Sequence, residues 1–201
     1  MIGTSDYYDN VYTDRYVNGT MGASLAFWKD HFTTQTARRR CQHGHWIDLG
    51  CGCGAVDWYF VSENPVQVTA VDFSPVALQY ARALPAREGL RWVYSNILDL
   101  QFDTATFDGC LCSHTLEHIE NTDQLLSEAV RVTRPGGTLV IIVPHSHYAD
   151  DPSHCQHFTI DQLSALLSPW GETELELTPC GNHIVAIVHL PEGKTDATET
   201  A

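Results

Sequence analysis

A glycine-rich turn between two acidic residues is the first stretch of this chain suited to chemistry. Asp48 precedes the turn Gly50-Cys51-Gly52-Cys53-Gly54, and Asp72 closes the β-branched run that follows. Glycines lack a Cβ atom, so the backbone can turn sharply and approach a ligand closely. An acid at the tip of the second strand can accept hydrogen bonds from a ribose diol. The turn departs from the G-x-G-x-x-G pattern of pyrophosphate sites, and the carboxylate of Asp48 suits a cationic ligand.

A second group of reactive side chains is the string H-x-x-E-H, formed by His114, Glu117 and His118. On a turn of helix these positions share one face, where two imidazoles and a carboxylate would suit a divalent metal. The loop Pro144–Phe158 offers six further ionisable side chains, namely His145, His147, Asp150, Asp151, His154 and His157. We take His114, Glu117, His118 and His145 as the candidate metal ligands.

Two alternatives to a metal stay open for this second group. His118 or His145 would act as a general base that removes a proton from the acceptor. In the structural alternative, Glu117 and His118 only begin a helix. A metal would replace the base, because it polarises an acceptor hydroxyl and lowers its pKa.

Alternating strands and helices position both groups. The pattern predicts five strands before the long loop, at His45–Leu49, Val66–Val71, Leu90–Tyr94, Phe107–Cys112 and Thr138–Val143. Ser74, Thr122 and Thr159 are expected to cap helices, and Arg134-Pro135-Gly136-Gly137 is expected to form a turn. Two runs near the end, Thr173–Leu177 and His183–Leu190, alternate like an antiparallel hairpin. Ligands of open α/β sheets lie beyond the carboxyl ends of the strands, where Asp48, Asp72, Asn96 and Ser113 all fall.

The N-terminal segment predicts two helices. Tyr8, Tyr12 and Tyr16 recur every four residues, so one helical face is aromatic. This face either packs on the core or covers the acceptor pocket. A second amphipathic helix is expected over Met21–Arg39.

Composition limits the classes of protein to consider. A chain of 201 residues with a net charge of −14 lacks the basic surface that nucleic acids and anionic membranes require. No apolar run approaches the ~18–20 residues of a membrane span. Seven cysteines, an odd number, fall partly in predicted buried strands, which indicates a reduced, cytoplasmic protein. The oligomeric state does not follow from the sequence.

The glycine turn, with Asp48 and Asp72, resembles the first motif of class I S-adenosylmethionine-dependent methyltransferases. Further along, F-D, L-E-H-I and R-P-G-G before an apolar strand are similar to the type 11 and quinone-biosynthesis branch of that family. The resemblance covers roughly Ile47 to Pro144. It implies a Rossmann-like, doubly wound α/β fold with a seven-stranded sheet, mostly parallel, that ends in an antiparallel hairpin. Metal-dependent O-methyltransferases carry E-x-x-E-H where this chain has His114 in place of the first glutamate.

The resemblance also implies a function and a cofactor site. We expect methyl transfer from S-adenosyl-L-methionine to an oxygen or nitrogen of a small molecule, with or without a divalent metal. The implied cofactor-binding residues are Asp48, Gly50, Gly52, Asp72, Phe73, Asn96, Ile97 and Ser113. Asn96 stands where the family usually has an aspartate. The competing readings are an NAD-dependent oxidoreductase and a nucleotide-binding protein without catalysis.

The expected organisation is one methyltransferase domain over residues 1–191. Residues 1–40 form its N-terminal helical cap, and residues 192–201 form a disordered tail. The identity of the acceptor does not follow from the fold or from the cofactor motif.

Overall fold

One seven-stranded sheet organises the structure, a computed structural model that describes residues 4–17, 27–145 and 151–193. The strands are β1 (Gly44–Leu49), β2 (Val66–Asp72), β3 (Leu90–Tyr94), β4 (Phe107–Ser113), β5 (Thr133–Pro144), β6 (Glu172–Leu177) and β7 (His183–His189). Their order across the sheet is β3-β2-β1-β4-β5-β7-β6. β1 to β5 pair in parallel, and β7 runs antiparallel to both β5 and β6. The sequence-based fold class is confirmed.

In the described ranges, six helices of six or more residues and a short 3₁₀ turn surround the sheet. They are α1 (Ser5–Val17), α2 (Phe32–Arg40), α3 (Ala55–Phe60), α4 (Pro75–Ala83), the 3₁₀ turn Leu116–His118, α5 (Thr122–Val132) and α6 (Ile160–Leu167). A helical turn at 27–30 precedes α2. Some of the predicted features lie outside the described residues. These are residues 21–26 of the predicted second helix, the side chain of Tyr16, His147, Asp150 and the tail from 194 onwards.

Side chains of the central strands point alternately to the two faces of the sheet, and a hydrophobic core lies on each face. Leu139 and Ile141 of β5 pack with buried residues of α5 and α6, whereas Val140 and Ile142 pack with α2 and α3. Successive side chains of a strand point to opposite faces, so a strand covered on both sides is apolar throughout. Strand order reverses between β1 and β4, and this reversal opens a crevice at their carboxyl ends. The glycine turn follows β1 at this crevice.

Helix caps account for several element boundaries. The Ser74 hydroxyl accepts from the N–H of Ala77 (3.0 Å), and Thr159 forms a capping box with Gln162. Both caps match the sequence prediction. The predicted cap Thr122 is wrong: the Asn121 side chain accepts from the N–H of Gln124 (3.2 Å), and Thr122 is the first residue of α5.

Two local predictions from the sequence are also wrong. The R-P-G-G segment lies within β5, where the pairing with β4 shifts register, so it is a bulge rather than a turn before the strand. The H-x-x-E-H string is not on an α-helix, because only Leu116–His118 form a 3₁₀ turn. His114 precedes that turn with a φ of 53°. No described helix is long and apolar enough to cross a membrane.

Candidate functional site

The glycine turn joins the ends of β1 and β2 through backbone hydrogen bonds. The N–H groups of Gly50 and Cys51 both donate to the carbonyl of Val71, at 2.8 and 3.0 Å. Gly52 has a φ of 56°, in the left-handed region that favours glycine. A Cβ atom on Gly52 would lie 2.5 Å from the hydroxyl oxygen of Tyr12, so the turn also fits closely under α1.

Asp72 connects this turn to the start of α4. One carboxylate oxygen accepts from the N–H of Gly52 and the other from the N–H of Ser74, each at 2.8 Å. Burial raises the pKa of Asp72, and these backbone hydrogen bonds oppose that rise. Each carboxylate oxygen retains a lone pair, so the fixed carboxylate can still accept hydrogen bonds from a ligand.

Asp48 has a buried acidic neighbour that sequence reasoning missed. Asp57 lies in the first turn of α3 and is fully buried, and burial raises its pKa to about 7. The pKa of Asp48 is raised as well, by burial and by the charge of Asp57. The two buried carboxyl groups therefore favour a shared proton or a nearby cation. The D-W-Y-F pattern of α3 gave no local sign that this acid turns inward.

A cavity of about 900 Å³ lies over the glycine turn and extends to the H-x-x-E-H segment. Seven predicted cofactor residues line it, namely Asp48, Gly50, Gly52, Asp72, Phe73, Ile97 and Ser113. Asn96 is not among the lining residues. It is exposed, and its side-chain oxygen accepts from the N–H of Leu98 at 3.0 Å, which stabilises the loop after β3.

The far end of the cavity has three of the four residues predicted to bind metal. His114, Glu117 and His118 line it, together with His154 from the long loop, but His145 is not among the lining residues. The backbone N–H of His145 donates to the carbonyl of Asn182, at 2.8 Å. No lysine or arginine is found among the described lining residues.

Glu117 is the most buried ionisable residue of this far end. It is 2% exposed, and Nδ1 of His114 lies 3.5 Å from one carboxylate oxygen. Within the described part of the chain, neither oxygen accepts a hydrogen bond. One donor atom each from Glu117, His118 and His154 lie within 4.8 Å of one another. This spacing allows the three side chains to bind one ion.

His118 is held in a fixed orientation by the long loop. Its Nδ1 lies 3.1 Å from the carbonyl oxygen of Ser153 and 3.2 Å from the hydroxyl of the same serine. That hydroxyl donates to Asp151 at 2.7 Å. Burial raises the pKa of Asp151, but the hydrogen bonds from Ser153 outweigh it and leave this pKa below its ordinary value.

Aromatic and imidazole rings form one wall of the cavity that the sequence did not predict. His183 and Trp28 both line it, and the rings of His183 and His114 are 5.1 Å apart. Burial and the neighbouring His114 lower the pKa of His183 to about 4, so it is neutral near pH 7. His183 reaches the site because the antiparallel register places it opposite Pro144. Only the pairing of β5 with β7 would have located it.

α1 covers the cavity from the side of the loop after β2. The Ser5 hydroxyl donates to the carbonyl of Phe73 at 3.1 Å. The Asp9 carboxylate accepts from the hydroxyl of Ser74 and from the N–H of Val76, the latter at 3.3 Å. The ring of Tyr8, on the same helix, lies 5.7 Å from those of Phe73 and His118. Residues of α1 thus contact both ends of the cavity.

A family model described as a methyltransferase domain matches residues 47–141. Ajmaline N-methyltransferase of Rauvolfia serpentina is 27% identical over 150 residues, which are 72% of this chain and 50% of that protein. O-methyltransferase resE of Aspergillus sclerotiorum is 32% identical over 101 residues, 48% of this chain and 38% of that protein. The chain spans about half the length, or less, of these curated relatives.

Solved structures share the fold at low sequence identity. A putative methyltransferase of Haloferax volcanii, in complex with the Trm112 methyltransferase activator, has a TM-score of 0.76 at 15% identity, covering 92% of this chain and 98% of that one. A putative S-adenosyl-L-methionine-dependent methyltransferase of Methanococcus maripaludis has a TM-score of 0.71 at 14% identity, covering 96% of each chain. The cyclase SpnF has a TM-score of 0.69 at 17% identity, covering 81% of each chain. At such identities the likeness establishes the fold alone.

Proposed function

We propose that this chain is an S-adenosylmethionine-dependent methyltransferase, and that it transfers a methyl group to an oxygen or nitrogen atom of a small molecule. The observation that carries the proposal is that one cavity has seven of the predicted cofactor residues at one end and imidazoles with a buried carboxylate at the other. Methyl transfer needs such an arrangement, since the acceptor atom must lie about 3 Å from the methyl carbon.

The residues present fit S-adenosyl-L-methionine. Asp72 would bind the ribose hydroxyls, while Phe73 and Ile97 would contact the adenine. Asp48 and the glycine turn would face the charged methionine end, since the turn brings backbone rather than side chains to the ligand. When bound, this cofactor supplies a methyl group attached to a positively charged sulfur. The predicted contact of Asn96 with adenine is not supported by its place outside the cavity.

The cavity favours a neutral or cationic acceptor. Its described lining has four acidic side chains, those of Asp48, Asp72, Glu117 and Asp151, and no lysine or arginine to pair with an anion. The net charge of −14 acts in the same direction. The names of the alkaloid N-methyltransferase and the O-methyltransferase among the relatives support a small organic acceptor.

His118 is the stronger of the two predicted bases. It lines the cavity and is oriented by Ser153, whereas His145 is not among the lining residues. An acceptor hydroxyl or ammonium must lose its proton before or during attack on the methyl group. When no metal is bound, we assign this role to His118, which would take the proton through the ring nitrogen that does not contact Ser153.

We further propose that a divalent metal ion assists, with Glu117, His118 and His154 as its protein ligands. The fit rests on a buried carboxylate without a hydrogen-bonded partner in the described residues and on two imidazoles within 4.8 Å of it. This set differs from the sequence prediction, because His154 replaces His145 and because His114 lies beside Glu117 rather than in the cluster. A cytoplasmic location, also proposed, agrees with the buried thiols of Cys41, Cys110 and Cys112, none of which forms a disulfide bond.

Calorimetry and a transfer assay test the function. The protein is titrated with S-adenosylhomocysteine and with NAD, and is then incubated with methyl-labelled S-adenosylmethionine and a panel of amines, phenols and catechols. Binding of S-adenosylhomocysteine but not NAD, with label on one acceptor class, is the expected result. Binding of NAD instead would favour an oxidoreductase. Cofactor binding without label transfer across the panel would favour a protein that, like the cyclase, uses this fold for another purpose.

Elemental analysis tests the metal set. Untagged protein is equilibrated with Mn²⁺ or Zn²⁺, desalted and compared with two matched variants, His154→Ala and His145→Ala. We expect about one ion per chain in the wild type and in His145→Ala, and none in His154→Ala. Retention in His154→Ala with loss in His145→Ala would restore the ligand set predicted from the sequence. No ion in any of the three proteins would leave His118 as a base without a metal.

A further inference from the structure

The segment Asp151–Gln156 is hydrogen-bonded to the 3₁₀ turn that contains Glu117 and His118. The N–H groups of Cys155 and Gln156 both donate to the carbonyl of Glu117, at 2.8 and 3.0 Å. The Gln156 side chain donates to the carbonyl of Ile119 at 3.4 Å. These bonds bring the segment against the 3₁₀ turn although more than 30 residues separate them in sequence.

The protons around Nδ1 of His118 can be counted. The Ser153 hydroxyl has a single proton, and its oxygen lies 2.7 Å from a carboxylate oxygen of Asp151. An ionised carboxylate can only accept hydrogen bonds. The same carboxylate oxygen accepts from the backbone N–H of Ser153, at 2.9 Å. The hydroxyl proton is therefore directed at Asp151, so the hydroxyl can only accept from His118.

Both groups that face Nδ1 are then acceptors. The carbonyl oxygen of Ser153 lies 3.1 Å away and its hydroxyl oxygen lies 3.2 Å away. A neutral imidazole carries its proton on one nitrogen only, and a hydrogen bond made by one nitrogen sets the state of the other. The arrangement is satisfied only when Nδ1 of His118 carries the proton.

We propose that Asp151 and Ser153 are positioning residues that hold His118 as its Nδ1–H tautomer and leave the lone pair of Nε2 free. Ser153 is 4% exposed, which limits the access of water to its hydroxyl and carbonyl groups, whereas Asp151 is exposed. This inference rests on the proposed function, because a free Nε2 lone pair is what a general base or a metal ligand requires. Neither residue touches the reacting atoms in this scheme.

Nitrogen spectroscopy of the histidine rings tests the proposal without an acceptor. Protein labelled with ¹⁵N-histidine and saturated with S-adenosylhomocysteine, with metal removed by a chelator, gives one ring pattern per histidine. The His118 pattern is identified by its loss in His118→Gln. We expect the wild type to show protonated Nδ1 and unprotonated Nε2. In Asp151→Ala the freed Ser153 hydroxyl can donate to Nδ1, which shifts the tautomer ratio about tenfold towards Nε2–H, the effect of one hydrogen bond.

The double variant Asp151→Ala/Ser153→Ala separates positioning from general loosening of the loop. It removes the new donor and leaves the Ser153 backbone carbonyl, so the Nδ1–H tautomer should return. Asp103→Ala, at an exposed aspartate away from the cavity, serves as the matched control and should leave the pattern unchanged. A wild-type His118 with protonated Nε2, or an Asp151→Ala variant identical to the wild type, would overturn the proposal. Failure of the methyl-transfer assay would leave this spectrum unchanged, so the two results are distinguishable.

Discussion

Asp72 illustrates how one side chain serves both the fold and the site. Its two oxygens bind the N–H groups of Gly52 and Ser74, and thereby fix the glycine turn against the start of α4. A ligand that adds hydrogen bonds to the same oxygens gains from a carboxylate that is already oriented. The residue was predicted from a local pattern, an acid at the end of a β-branched run after a glycine turn.

Asp72→Asn should weaken cofactor binding. An asparagine has one acceptor oxygen, so its NH₂ group must face one of the two backbone N–H groups or the ribose. We expect the Kd for S-adenosylhomocysteine to rise about 10- to 100-fold, as for losing one or two hydrogen bonds to a charged group. Isothermal titration calorimetry measures it, with Asp99→Asn at an exposed loop position as the control. Equal affinities in the two variants would remove Asp72 from the cofactor site.

His154 shows what residue patterns could not provide. The sequence presented it as one of several ionisable residues in a long loop. Its approach to Glu117 and His118 depends on hydrogen bonds across more than 30 residues. Asn96 is the opposite case: its position in a motif suggests a ligand contact, whereas in the structure its side-chain oxygen accepts a hydrogen bond from the N–H of Leu98. Its contact with adenine stays a prediction. The burial of Asp57 was not predicted, since an acidic residue in the first turn of a helix is usually exposed.

At the scale of elements, α1 and the glycine turn fit against each other. The aromatic repeat in α1 predicted a helix with one aromatic face, and Tyr8 and Tyr12 do line the cavity from α1. Packing on the core and covering a pocket need the same spacing, so the repeat predicted the helix and its aromatic face but not which residues this face contacts. The contact between Tyr12 and Gly52 makes the fit of the two elements testable.

Gly52→Ala should impair cofactor binding, and Tyr12→Phe should partly restore it. The added Cβ would lie 2.5 Å from the Tyr12 hydroxyl oxygen and would also be strained at a φ of 56°. Removal of that hydroxyl relieves the clash but not the strain, so we expect recovery of part of the affinity for S-adenosylhomocysteine. The strain itself costs about 1 kcal/mol in the free energy of unfolding, measured by urea denaturation. If Tyr12→Phe does not change the affinity for S-adenosylhomocysteine in the Gly52→Ala background, the Tyr12 hydroxyl does not clash with the residue at position 52.

At the scale of the whole molecule, the doubly wound sheet follows from a short list of sequence features. Apolar runs, glycine and proline breaks and the alternating order of elements predicted β1 to β5 and the final hairpin. The bulge in β5 and the 3₁₀ turn at Leu116–His118 were missed, because each depends on how β4 and β5 pair and not on residue preference. The single domain over residues 1–191, with its cap and tail, stays a prediction.

The buried pair of Asp48 and Asp57 should make stability depend on pH. The pKa of Asp57 is about 7 in the folded chain, against an ordinary value of 3.8, so between these values the folded state holds a proton that the unfolded state lacks. The free energy of unfolding should therefore fall as pH rises from about 4 to about 7. Histidines with lowered pKa act in the opposite direction below pH 6.5, as His45 does.

Asp57→Asn isolates this effect, since the amide does not titrate and the histidines are unchanged. Thermal unfolding is measured at pH 5 and at pH 8. The decrease in Tm from pH 5 to pH 8 should be larger in the wild type than in the variant. An equal change of Tm with pH in both proteins would mean that Asp57 is ionised in the folded state over this whole pH range. A steeper slope in Asp57→Asn would reverse the assigned sign.

The way α1 is attached has a consequence for the catalytic cycle. Ser5 and Asp9 hold the helix to Phe73, Ser74 and Val76, the residues that directly follow Asp72. The helix that covers the cavity and the proposed ribose contact of Asp72 therefore depend on one loop, so a change in that loop should affect both. Exit of the spent cofactor and opening of the cavity then become a single event. If the chain transfers methyl groups as proposed, we expect the departure of product, rather than the transfer itself, to limit turnover.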